Sequence, residues 1–259
     1  MAKDILYVVG SGSIHDDIEL RWSLRSIAKF GHGVGRVIVA GHIPRWLSDQ
    51  VVKLPMNEEA APDGNVWKVK HRNILTKILR SIDLCGLHQD FLWSSDDHFY
   101  VKDVDFDSYP VFIRGEVLET EQECIVRRGK CSSWRRSLSD TRALLERNGY
   151  RAVNFAFHAN THLDGRDAAE VRRLMDQEPV AEYGYEPACL FLNVRLKRDP
   201  AMHIVPRRDF KLRRFAGMEA FRNRLGDLEA FSVGDRPLDD GGFRQVMNGL
   251  YGEKCIYEL

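Results

Sequence analysis

DILYVVGSGS, residues 4–13, carries five consecutive apolar or aromatic residues from Ile5 to Val9 and then stops in Gly-Ser-Gly-Ser. A short continuous apolar run bounded by turn residues reads as a strand buried on both faces. The stretch that follows, DDIELRWSLRSIAKF (16–30), sets Leu20, Leu24 and Ile27 at helical spacing behind Asp16 or Asp17, either of which suits an N-cap. RVIVAG (36–41) repeats the buried-strand pattern and ends at Gly41. Strand, helix and strand within ~40 residues make a βαβ unit, which predicts a parallel sheet with a right-handed crossover.

Working outward, IPRWL (43–47) reads as a Pro-initiated helical turn, VVKLP (51–55) as a third short strand and NEEAAPDGN (57–65) as a loop. WKVKHRNILTKILRSIDLC (67–85) groups Ile74, Ile78, Leu79 and Ile82 on one helix face, with Lys70, Lys77 and Arg80 among its basic positions. DFLWSS (90–95) is another buried strand, and it delivers Asp96 and Asp97. Further on, YPVFIRGEVLE (109–119) suggests a strand, SDTRALLERNGY (139–150) a helix closed by Gly149, AVNFAFHANTHLD (152–164) an alternating strand and GRDAAEVRRLMDQ (165–177) a helix. The fold class is therefore α/β, a Rossmann-like, mostly parallel sheet flanked by helices. Residues 1–102 form its nucleotide-binding part, and an α+β region, 103–259, completes the same single domain on the acceptor side. Ligands of such sheets collect outside the carboxyl ends of the strands, so Gly10 to Ser13, Gly41 and Asp96 to His98 are expected on one rim.

Composition removes several classes. At 259 residues the chain can bury a sizeable core. Its 38 basic and 38 acidic residues cancel, so no whole-molecule field attracts a polyanion, and such a contact needs a local patch. The five cysteines, Cys85, Cys124, Cys131, Cys189 and Cys255, are an odd number without a CxxC pair, which reads as reduced, packing thiols. With no secretory leader pattern and no stretch near the ~20 apolar residues of a bilayer span, the expectation is a soluble, cytoplasmic protein of a bacterium, or of a host cell if phage-encoded.

The chemistry centres on FLWSSDDHFY (91–100). Adjacent carboxylates repel unless water, a basic partner or a cation compensates them. A Mg²⁺ or Mn²⁺ ion carried by a nucleotide diphosphate needs only one or two protein carboxylates, because phosphate oxygens and waters complete its shell. Asp96 and Asp97 fit that need; the alternative is a helix cap beside a solvated acid. The Gly10, Ser11, Gly12, Ser13 turn either presents N–H groups to a phosphate or is a plain tight turn. It is no G-x-G-x-x-G fingerprint, and a Walker lysine is missing, which disfavours dinucleotide dehydrogenases and P-loop ATPases. In the second cluster, His158 would complete a metal shell and Asp164 would serve as general base, with Asp97 an equal choice of base and, for the whole cluster with His162, a structural role as the alternative. The basic block Lys197 to Arg224, interleaved with Phe210 and Phe215, and RRGKCSSWRR (127–136) are either a polyanion footprint or balanced surface loops. As a footprint they make Arg127, Arg128, Trp134, Arg213 and Arg214 the acceptor contacts.

DILYVVGSGS with ELRWSLRSIAKF, RVIVAGHIPRWL and FLWSSDDHFY resemble, in order, blocks of the Stealth family of sugar-phosphate transferases and of related small phage and bacterial glycosyltransferases with a GT-A-like domain. The resemblance spans residues 4–102, with a weaker echo in FAFHANTHLD (155–164). It implies a nucleotide-sugar donor and a divalent Mn²⁺ or Mg²⁺ ion, with SDDH standing for the DxD element and Asp96 and Asp97 as metal ligands. Arg21, Arg25 and Lys77 would then hold the diphosphate. The first block lacks the tryptophan and aspartates of the Stealth motif YTWVDGSD, which favours glycosyl transfer to an acceptor hydroxyl over transfer of sugar-1-phosphate. The acceptor is then a hydroxymethylated base in DNA or a surface glycan. From another class, a non-catalytic sugar- or nucleic-acid-binding module remains the competing expectation.

Overall fold

The structure, a computed structural model, describes residues 2–11, 13, 15–156, 160–176, 181–206 and 210–259. The opening βαβ unit forms as its pattern dictates: β1 (Lys3–Val9), α1 (Ile18–Phe30), a two-residue β2 (Gly31–His32), β3 (Val34–Gly41) and then β4 (Val51–Pro55). After α2 (Lys70–Cys85) comes β5 (Asp90–Ser94). These strands lie in the order β4, β3, β1, β5, all parallel, with Ile5 paired to Val37 on one side and to Leu92 on the other.

Alternation along β1 explains why its run shows no polar residues. Ile5, Tyr7 and Val9 pack with Leu20, Leu24 and Ile27 of α1, while Leu6 joins Leu75, Ile78 and Ile82 of α2 on the other face. A parallel sheet covered on both faces has no solvent side to encode. Gly41 closes the β1–β3 junction at φ +112°, where an added Cβ would stand 2.1 Å from the Val9 carbonyl oxygen, so only glycine fits.

The remainder is built of shorter pieces: β6 (His98–Tyr100), β7 (Val104–Asp105) beside β2, β8 (Val111–Ile113), α3 (Glu121–Arg128) and α4 (Ser133–Arg147). β9 (Thr161–Asp164) then adds antiparallel to β5 and ends the central sheet. α5 (Ala168–Asp176) and α6 (Pro187–Arg198) follow, and β10 (Ile204–Pro206) lies beside β8. β11 (Lys211–Leu212), α7 (Met218–Leu225), β12 (Ala230–Val233), α8 (Asp235–Leu238) and α9 (Gly241–Tyr251) complete the described elements. β12 sits between β11 and β6, and an aromatic cluster including Trp22, Phe99, Phe231 and Phe243 fills the space under it. The second half thus supplies both an edge strand and a supporting sheet to the first.

Several expectations are corrected here. IPRWL forms a turn from Pro44 to Leu47 rather than a helical turn, because Leu47 bridges to Glu258. α4 starts at Ser133, where Ser132 caps it, well before the expected Ser139. The strand expected over 109–119 keeps three residues, since Gly115 leaves it to bridge Asn154, and of the strand expected over 152–164 only Thr161–Asp164 forms. Among the described residues no helix is long and apolar enough to cross a membrane, and all five cysteines are free.

Candidate functional site

Because β1, β3 and β5 are parallel, their carboxyl ends bring Gly10 and Ser11, Gly41, and Ser94 to Asp97 to one rim. The chain enters α1 from this rim through Asp16 and Asp17, both left-handed at φ 54° and 51°. Two consecutive non-glycine residues in that region store strain that the surroundings must hold. The Ser13 hydroxyl accepts the Asp17 N–H at 3.0 Å, and the Asp17 carboxylate lies 3.2 Å from His42 Nε2. Ser13 therefore shapes the loop. Gly12 lies outside the described residues.

Next to this loop is an anion seat. Lys77 is 3% exposed and donates to the Val9 carbonyl at 3.1 Å and to Glu58 Oε1 at 3.0 Å. The other Glu58 oxygen accepts from the Ser11 hydroxyl at 3.0 Å and faces the Ser11 N–H at 3.4 Å. Burial works against ionising Glu58, but the hydrogen bond and charge of Lys77 outweigh it and hold the carboxyl below its usual value. A buried ammonium, a hydroxyl and a backbone N–H converging on one oxyanion are what a phosphate would require. Lys77 thus reaches the rim as expected, and Glu58, which lies in a stretch legible only as loop, is the group the sequence did not reveal.

The acidic pair splits. Asp97 is 3.0 Å from Lys211 Nζ, and its carbonyl accepts the Val233 N–H, so β11 and β12 fix it. Among the described residues Asp96 makes no ion pair. Burial raises its pKa to about 7, reinforced by the negative charges of Asp97 and Glu19 against the weaker pull of Lys70. Beneath it Tyr7 meets Ser23 at 2.9 Å, and since Ser23 gives its proton to the His98 carbonyl at 2.7 Å, Tyr7 is the donor. Across the rim stands Asn160. Thr161 pairs with Trp93, so Asn160 falls one step further, level with Ser94. Asn160 is 2% exposed, yet among the described residues neither its Oδ1 nor its Nδ2 has a hydrogen-bond partner. Such an orphaned amide is costly and marks a place where a polar ligand or water belongs.

Among the described residues no group of three or more His, Cys, Asp or Glu side chains could hold an ion unaided. The fit to a cation therefore rests on Asp96, with Asp97 beside it, supplying protein carboxylates to an ion that arrives with its phosphates.

Other expected site residues have different tasks. Arg25 is fully engaged: Nε and Nη2 grip Glu258 at 2.6 and 2.7 Å, while Nη1 donates to the Tyr251 and Gly252 carbonyls. Arg21 lies 4.3 Å over the Trp46 ring and 3.3 Å from Glu258. Both arginines clamp the C-terminal segment, which corrects the diphosphate role implied for them. Asp164 is corrected as well. The antiparallel register sets it opposite Asp90, at the far end of β5 from Asp96, where Arg166 and Arg198 neutralise it. His162 belongs to that end too, 2.8 Å from Asp90. His98 is buried edge-on to Tyr100 rather than lining the rim, and His158 lies outside the described residues.

The acceptor contacts fall into two sets. Arg127, Arg128 and Trp134 line one cavity of about 310 Å³, joined by Arg114 and Arg135. Arg213 and Arg214 are exposed elsewhere, just past the Lys211 that touches Asp97. Phe210 and Phe215, interleaved in the basic block, pack against Phe221 in the aromatic core. Compared with protein-family models and with curated proteins, the chain matches none.

Proposed function

We propose that this chain is a nucleotide-sugar-dependent glycosyltransferase of GT-A-like type that passes a sugar to an acceptor hydroxyl, with its donor on the rim above β1, β3 and β5. The observation that carries the reading is Asp96, half-buried beside Asp97 and Glu19 with no ion pair among the described residues, on the same rim as the oxyanion seat of Ser11 and Lys77. A Mn²⁺ or Mg²⁺ ion bound there would act as a Lewis acid toward the departing diphosphate. Asp96 would contact the ion, whose charge would compensate its own. Ser11 and Lys77 take a phosphate oxygen in place of Glu58. Asp97, its carboxylate held by Lys211, accepts the proton of the acceptor hydroxyl within hydrogen-bond reach. Asn160 supplies an amide to donor or acceptor hydroxyls.

A thermal-shift screen of nucleotide-sugars, with Mn²⁺ or with EDTA, tests this. The expected result is a donor whose stabilisation, about 2.7 kcal/mol at 100 times its dissociation constant, requires Mn²⁺ and vanishes in Asp96→Asn. Released nucleoside diphosphate identifies glycosyl transfer, and nucleoside monophosphate would identify sugar-1-phosphate transfer instead. Stabilisation that persists in Asp96→Asn, with no donor consumed, would leave a binding module and refute the enzyme.

A further inference from the structure

A cavity of about 310 Å³ lies away from the acidic pair, between α3, α4 and the Gly115–Asn154 bridge. Its described lining carries Arg114, Arg127, Arg128 and Arg135 with one acid, Glu119, which pairs with Arg127 and with Arg135. Arg128 is exposed and makes no ion pair among the described residues. Trp134 holds two of the guanidiniums, with Arg114 at 5.3 Å and Arg135 at 5.4 Å from its ring centroid. Stacked guanidiniums lose little further freedom when they bind, and their planar forks match the oxygens of a phosphate.

The local sequence runs against helix stability in a way that favours an anion. Helix N-termini carry partial positive charge and prefer acids in the first turn. α4 has none there and instead opens Ser-Trp-Arg-Arg, adding Arg135 to the positive helix end that borders the cavity. Desolvation and the charges of Arg128 and Arg135 lower the Arg127 pKa, although Arg127 pairs with Glu119. Arg114 also donates to the Ala156 carbonyl at 3.1 Å.

We infer that this cavity is a phosphate-binding site, distinct from the donor rim, that takes a phosphate ester group of a ligand through Arg114, Arg128 and Arg135, with Trp134 setting the guanidinium planes. The inference goes beyond the proposed transfer and does not need it. Phosphate offered by a small molecule and phosphate offered by a nucleic acid backbone share this chemistry.

The test is titration calorimetry of the full chain in EDTA, which keeps cation-dependent donor binding at the rim out of the measurement. The probes are inorganic pyrophosphate and a single-stranded oligothymidylate. Pyrophosphate is expected to bind at millimolar or tighter affinity and to weaken as salt rises. Arg128→Gln, whose exposed side chain leaves the fold untouched, and Arg135→Gln are expected to weaken it at least tenfold, while Arg213→Gln leaves it unchanged. An oligonucleotide bound at least tenfold more tightly than pyrophosphate, and equally sensitive to Arg128→Gln, identifies backbone phosphate as the source; equal or weaker binding identifies a small phosphorylated ligand. No heat with either probe at 10 millimolar phosphate (roughly ten times the expected dissociation constant), or binding that both cavity variants leave intact, overturns the inference.

Discussion

The two ends of β5 treat their acids in opposite ways. At the amino end, Asp90 is surrounded by Lys3, His162 and Arg195 at 2.5 to 2.8 Å, and its strand partner Asp164 is gripped by Arg166 and Arg198. At the carboxyl end, Asp96 has acids for neighbours and no ion pair among the described residues, and an asparagine without a hydrogen-bond partner among them stands just before β9. Acids that hold a fold together are neutralised by the fold itself. An acid with no ion pair among the described residues, at the edge where the topology gathers ligands, is what the proposed function takes as its cation contact.

The largest effect that would break this contrast is at the compensated end. Asp164 is fully buried, and Asp164→Ala removes the acid shared by Arg166 and Arg198, of which the partly exposed Arg198 keeps Asp167, so urea unfolding is expected to show a loss of about 3 kcal/mol, the upper end for hydrogen bonds to a charged group. A loss below about 1 kcal/mol would mean that the pairs are surface-like and the contrast empty.

At the rim the same operation has the opposite sign for stability. Asp96→Asn removes a charge that its surroundings disfavour, and in the presence of EDTA it is expected to stabilise the protein by ~1–2 kcal/mol at pH 8. The variant's cation-dependent donor turnover is expected to fall at least ~100-fold, the equivalent of ~2.7 kcal/mol on the barrier. A destabilised Asp96→Asn with normal turnover would place Asp96 among the structural acids.

How much of this was legible follows from the range of the contacts. The rim was legible because each of β1, β3 and β5 is a local apolar run ended by Gly or Ser, and a βαβ crossover makes their ends coincide. The role of Asp164 was not, because periodicity says nothing about strand direction. A His-Asp cluster at the end of an edge strand reads the same whether the strand runs parallel or antiparallel, yet reversal carries it the whole length of β5. Arg25 was misread for a related reason. Its partner Glu258 is 233 positions away, and nothing local distinguishes a guanidinium that clamps a terminal segment from one awaiting phosphate.

Acidity sharpens the comparison further. Burial opposes ionisation of Asp90, but His162, Lys3 and Arg195 prevail, and its carboxyl lies well below the ordinary 3.8. The folded state therefore binds fewer protons than the unfolded one at acid pH, and Asp90 gives stability that is complete above about pH 4 and lost as pH falls further. Asp96 behaves in reverse. With its pKa raised from 3.8 to about 7, the folded state binds more protons between those values, so its contribution declines as pH rises through that window. The stability gap between Asp96→Asn and the parent is expected to open from pH 4 to 7 and level off above, while that for Asp90→Asn closes below pH 4. Parallel pH curves for the two variants would erase the distinction.

The smallest expected effect concerns Glu58, which has features of both ends. Like the acids at the amino end it is paired, to a buried lysine; like Asp96 it sits on the rim, in contact with the turn after β1. If it occupies the seat of a ligand phosphate, Glu58→Gln leaves Lys77 and Ser11 in place, removes the competing charge and tightens donor binding by about 3- to 10-fold, the scale of one charge-assisted hydrogen bond. The unpaired Lys77 would cost some stability, ~1–2 kcal/mol by unfolding, because its ammonium still bonds the Val9 carbonyl. If Glu58 is instead a partner of the kind found around Asp90, the substitution costs about 3 kcal/mol or more and leaves donor affinity unmoved. Affinity and stability then shift in different proportions for a stand-in and for a structural partner, and measuring both in one variant separates the two.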